Sequence, residues 1–142
     1  MTPRGAKDEG MGGGVDSFNH DGLRIEVVDA QTQVSVIWRG VSEARDPDLV
    51  LVPFLNLLAE RLRASKVRTI TVDFRHFEYM NSATVVPILQ FVKRLDAIGA
   101  QTRVLYDQSV SWQRINFRCM RTIARTLSHV EVRGDSEKAD PR

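Results

Sequence analysis

The chain has 142 residues, 42% hydrophobic and 27% charged, with one Cys and a formal charge of +2, the length of one domain with loose ends. Nothing in it runs the roughly 18 apolar residues that a membrane helix needs, and residues 1–22 have no apolar core of a secretory signal. The lone Cys119 excludes an intrachain disulfide and a thiolate zinc set, which fits a reducing cytoplasm.

Residues 1–21, with Gly10, Gly12, Gly13 and Gly14 and little to bury, are expected as a disordered tail, and residues 134–142 as another. Between them, residues 22–133 read as one domain. Period-two patterning over 23–28 and 34–38 predicts two strands joined by a polar turn near 29–32. Leu51, Phe54, Leu55, Leu58 and Leu62 recur at helical spacing and predict a helix over about 49–64, with Pro47 and Pro53 crowding its start. A buried-type strand follows at 69–74, and a loop carries Phe77 and Tyr79. The next helix, over about 82–98, stops at Gly99. A strand at 102–106, a helix at 111–126 and a short strand at 129–132 complete the chain. The order β-β-α-β-α-β-α-β predicts an α/β fold: a mixed sheet, hairpin first and parallel crossovers after, with helices packed mainly on one face.

Residues 71–84 concentrate the chemistry. A buried strand ends at Asp73, and Asn81-Ser82-Ala83-Thr84 opens a helix, where free N–H groups welcome negative charge. Asn and Ser are also ordinary helix caps, worth about 1 kcal/mol. Pro87 selects the register. With Thr84 as cap, Pro87 falls in the first turn and Ser82 lies in the preceding exposed loop.

The run from Asp73 to Thr84 resembles the STAS domain of bacterial anti-sigma-factor antagonists, whose signature is a strand-ending aspartate, an apolar loop and Asp-Ser-Ser-Gly opening a helix. The order of elements over 23–133 fits as well. On that match Ser82 takes the phosphoacceptor position and Asn81 that of the preceding aspartate, while Ala83 and Thr84 replace Ser and Gly. The Asn-Ser variant is similar to STAS-like regulators of diguanylate cyclases. The resemblance implies a non-enzymatic cytoplasmic signalling protein that binds partners and is switched at Ser82, with Thr84 in reserve. It implies a serine/threonine kinase of the anti-sigma type, a PPM-class phosphatase and a downstream effector as partners. The alternatives are a STAS structural subunit without phosphorylation, as in a lipid-transport ABC system, and an anion or small-ligand sensor.

A helical wheel points Ile88, Phe91, Val92, Leu95 and Ile98 inward and Ser82, Val86, Gln90, Lys93 and Ala97 outward, with Leu89 at the border. Asn81, Ser82, Val86, Leu89, Gln90 and Lys93 are therefore the candidate partner surface. In 111–126, Trp112, Ile115, Cys119, Met120, Ile123 and Leu127 share an apolar arc. Arg114, Arg118, Arg121 and Arg125 stack on the other side, either a solvated basic face or a ridge for an acidic partner or anion. Residues 23–133 hold 16 basic and 11 acidic residues, too mild and unclustered an excess to argue for nucleic acid. His20, His76 and His129 are scattered without metal-ligand spacing, Asp73 and Glu78 make a poor carboxylate pair, and no nucleophile elbow, P-loop or dinucleotide glycine motif is present. No catalytic residue, metal or cofactor is expected.

Overall fold

The computed structural model describes residues 16–135. The strands are β1 (Ser17–His20), β2 (Leu23–Ala30), β3 (Gln33–Ser42), β4 (Thr69–Asp73), β5 (Phe77–Met80), β6 (Gln101–Asp107) and β7 (Val130–Asp135). The helices are α1 (Asp48–Ala64), α2 (Val85–Ala97) and α3 (Ser111–Ala124), and a 3-10 turn at Ser82–Thr84 leads into α2. One seven-stranded sheet runs β1-β2-β3-β4-β6-β7, and β5 pairs with the far end of β3. β1, β2 and β3 form an antiparallel meander, and the remaining pairs are parallel.

The crossovers through α1, α2 and α3 all step the same way along the sheet. Right-handed connections then place all three helices on one face. The burial alternation agrees. Val34, Val36 and Trp38 on β3, Ile70 and Val72 on β4, and Val104 and Tyr106 on β6 are buried beneath the helices. The helix-free face carries ion pairs instead: Arg24 and Arg39 with Glu26, Arg75 with Asp73 and Asp135, and Arg103 with Glu131. An aromatic cluster fills the carboxyl end of the core, where Phe74 lies 5.1 Å from Trp38 and 4.7 Å from Phe117 between ring centroids.

Three expectations need correction. The tail expected over 1–21 yields to β1 from Ser17 onward, because Asp21 (φ 48°) and Gly22 (φ 89°) form a two-residue turn of left-handed residues that pairs His20 with Leu23. Phe18 then packs 5.1 Å from Phe54 of α1. At the other end, Gly134 and Asp135 belong to β7 rather than to a tail. The disorder expected at 1–15 and 136–142 lies outside the described residues. The loop expected to carry Phe77 and Tyr79 is the strand β5, which pairs with β3 after a register shift between Gly40 and Val41. Gly40 has φ +80°, and a Cβ there would sit 1.9 Å from the Gly22 carbonyl oxygen, so the shift and the β1–β2 turn need glycine together.

Candidate functional site

α2 begins at Val85, which puts Pro87 in its first turn, where its missing N–H has no partner to lose. The preceding 3-10 turn is built by Asn81. Its Oδ1 accepts from the Thr84 backbone N–H at 3.2 Å and from the Thr84 hydroxyl at 2.7 Å. Its Nδ2 donates to the Ala44 carbonyl at 2.8 Å, and its backbone N–H donates to the Ser42 carbonyl at 2.9 Å. Because a carboxamide oxygen only accepts, the Thr84 proton points to Asn81. The 2.7 Å contact between the Ser42 and Thr84 hydroxyls is then donated by Ser42. One side chain thus ties the head of α2 to the end of β3 and to the 43–47 segment before α1.

This network fixes the fates of the two candidate hydroxyls. Thr84 is fully buried with its proton committed, which corrects its expected role as reserve phosphoacceptor. Ser82, one residue beyond the anchor, is exposed, and so is Ala83. On the outer face of α2, Val86 is 55% exposed and Gln90 and Lys93 are exposed, while Leu89 is half-buried against the core.

Below the turn, Asp73 ends β4 and holds the entry to β5. It accepts from the Arg75 backbone N–H at 3.0 Å and binds the Arg75 guanidinium through both oxygens, at 3.0 and 2.9 Å. Burial pushes its carboxyl up, but the Arg75 hydrogen bonds and charge outweigh burial and leave the pKa below the ordinary value.

α3 departs from its expected faces. Gln113, Phe117, Met120 and Ala124 form its buried stripe, whereas Ile115 is 63% exposed and Cys119 is exposed. The polar Gln113 disguised the stripe. It is fully buried because its Oε1 accepts from the Asp107 N–H at 2.7 Å and its Nε2 donates to the Phe77 carbonyl at 2.8 Å, joining β6 to β5. Nor do the four arginines form one free ridge. Arg114 donates to the Gln108 carbonyl at 2.8 Å. Arg121 donates to the Val132 carbonyl at 3.1 Å and to the Tyr106 hydroxyl at 3.2 Å. Arg118 and Arg125 are exposed and have no partner among the described residues.

Ser42, Ala44 and Gln113 escaped the sequence reading, since their partners lie 42, 37 and 36 residues away and no local pattern marks them. Six large apolar side chains stand exposed among the described residues: Val28, Leu49, Leu57, Tyr79, Val86 and Ile115. Four of these lie on helices and Tyr79 leans on Trp112 of α3 at 6.1 Å, whereas Val28 shares the helix-free face with Arg24 and Glu26. Among the described residues, no group of three or more His, Cys, Asp or Glu is placed to hold a metal ion, and no helix is long and apolar enough to cross a membrane.

No family model and no curated protein sequence matches the chain. Among solved structures, it is similar to the anti-sigma factor antagonist SpoIIAA in its unphosphorylated form. The TM-score is 0.54 at 16% identity, over 82% of this chain and 90% of that one. At that identity the likeness is one of fold.

Proposed function

We propose that this chain, whose fold is that of STAS domains, is a non-enzymatic regulator that binds partner proteins through its helical side and is switched by reversible phosphorylation of Ser82. The observation that carries this reading is the exposed Ser82 hydroxyl at the head of α2, beside exposed Val86, while the neighbouring Thr84 hydroxyl is sealed in the core. A serine/threonine kinase of the anti-sigma type would load the site and a PPM-class phosphatase clear it, in the cytoplasm.

The switch is electrostatic. A phosphoserine carries about −1.5 to −2 charge at neutral pH. Placed at the centre of a surface that a partner must desolvate, it outweighs apolar contacts worth about 2 kcal/mol each. Val86, Leu89, Gln90 and Lys93 supply the contacts nearest Ser82, and Asn81 holds the turn. The unmodified protein therefore binds its effector and the phosphorylated form releases it.

Incubation with an anti-sigma-type serine kinase and ATP, followed by peptide mass spectrometry, is expected to place one phosphate on Ser82 and none on Thr84. Ser82→Ala should keep effector binding, and Ser82→Asp should weaken it tenfold or more (about 1.4 kcal/mol). Equal binding by wild type, Ser82→Ala and Ser82→Asp refutes the switch.

A further inference from the structure

We infer that Asn81 is the positioning residue of this site, and that its uncharged amide, acting as donor and acceptor at once, is what holds the Ser82 turn in place. This deepens the reading of Ser82 as the modified residue and rests on it for its purpose, but the clamp itself can be tested without a kinase.

Asn81 links two pieces of chain just beyond the point where β5 pairs with the end of β3. On one side, its Oδ1 gathers the Thr84 N–H and hydroxyl and shapes the 3-10 turn. On the other, its Nδ2 gives a proton to Ala44 in the 43–47 segment. Ser42 closes the ring, with its carbonyl taking the Asn81 N–H and its hydroxyl donating to Thr84. Ser42 and Thr84 are buried, so water cannot replace their hydroxyl contact, while Asn81 and Ala44 are half-buried. Ser82 itself enters no hydrogen bond of the ring through its hydroxyl, and its place is set by the residue before it and the residue two after.

The amide is not interchangeable with a carboxylate. Aspartate at 81 would keep the acceptor for Thr84 and gain charge there, but it has no proton for Ala44. A carboxylate oxygen would face a carbonyl oxygen across the 2.8 Å that the amide spans. The donor returns only when that carboxyl is protonated, which the facing Ala44 carbonyl favours and the two Thr84 hydrogen bonds oppose. Asn81→Asp should therefore release the turn from the 43–47 segment at neutral pH and re-form the link in acid. The charged groups on the two flanking segments, Glu43, Arg45 and Asp46 on one and Glu78 on the other, are all exposed. They are common to both proteins, so the difference between the proteins reports position 81.

The test is amide hydrogen exchange of the residue-81 N–H, held by the Ser42 carbonyl, in wild type, Asn81→Asp and Thr84→Val, corrected for intrinsic rates. At about pH 7, Asn81→Asp should lose protection about tenfold, the scale of one buried hydrogen bond, and NMR order parameters of Ser82 and Ala83 should fall with it. At about pH 3, where a carboxyl near the ordinary value of about 3.9 is mostly protonated, it should return to within about twofold of wild type at the same pH. Thr84→Val, which keeps the Ala44 bond, should lose protection equally at both pH values. If Asn81→Asp is unfolded at neutral pH, refolding on acidification seen by circular dichroism supports the inference, and failure to refold overturns it. Wild-type protection at neutral pH, or a loss that persists unchanged in acid, also overturns it. None of these outcomes bears on whether Ser82 is phosphorylated, and an unphosphorylated Ser82 would leave the clamp standing.

Discussion

Two hydroxyls two residues apart meet opposite fates in this chain because one is recruited to finish the backbone and the other is not. Thr84 satisfies Asn81 and Ser42 in the core, and Ser82 is left to solvent. The same division separates the carboxylates. Asp73 is buried, yet it accepts from a backbone N–H and from two nitrogens of one guanidinium, and its pKa is lowered. A carboxyl whose folded pKa lies below its unfolded one contributes stability fully above the unfolded value, near 4, and loses it as pH falls through the folded value. Asp73→Asn is accordingly expected to lower stability by about 1–3 kcal/mol at neutral pH. The gap should close as the pH falls below about 4, as denaturant melts of both proteins across pH would show.

At the scale of elements, α3 shows what a buried polar group does. Gln113 stands in the core stripe and takes up one donor and one acceptor from β6 and β5. Gln113→Leu preserves the volume but orphans the Asp107 N–H and the Phe77 carbonyl. It should cost about 2–4 kcal/mol by urea unfolding, with exchange quickening first in β5. The same residue explains why the faces of this helix differ from those its apolar pattern predicts. Apolar periodicity marks a face only when the face is apolar, and a glutamine in the stripe shifted the apparent arc onto Ile115 and Cys119, which face solvent. α2 was legible because Pro87 and Gly99 punctuate it by backbone chemistry that tertiary contacts do not override. β5 was not, since four residues carry no measurable period and their pairing partner on β3 is remote. β1 does carry a signal: Asp21-Gly22 is a strong two-residue hairpin sequence, although the glycine-rich residues upstream of it have the composition of a tail.

For the whole molecule, the order of elements sufficed to predict one helical layer on a mixed sheet, because handedness leaves few alternatives once strands and helices are named. The candidate site was legible only in its outward residues. Ser82, Val86, Gln90 and Lys93 follow from a wheel, whereas the ring through Ser42 and Ala44 exists only after the chain has folded back on itself. The two faces divide the labour. Ion pairs mark the helix-free side, and the helical side carries exposed Leu49, Leu57, Val86 and Ile115 together with exposed Arg118 and Arg125.

The antiparallel meander at the start of the sheet also bears on how the chain reaches its native state. β1, β2 and β3 are joined by turns of two residues, so their partners lie close in sequence and little loop entropy opposes their pairing. Every later strand waits for a helix-length excursion to close. The meander should be structured in the rate-limiting transition state and β7 should dock late. In stopped-flow chevrons, Ile25→Ala would then chiefly slow refolding and Val132→Ala chiefly speed unfolding. The reverse pattern would place the nucleus among the crossovers. An early meander means that β3 offers its free edge as a template before the segment bearing Ser82 has found its place, so the turn at the head of α2 would be among the last parts to assemble.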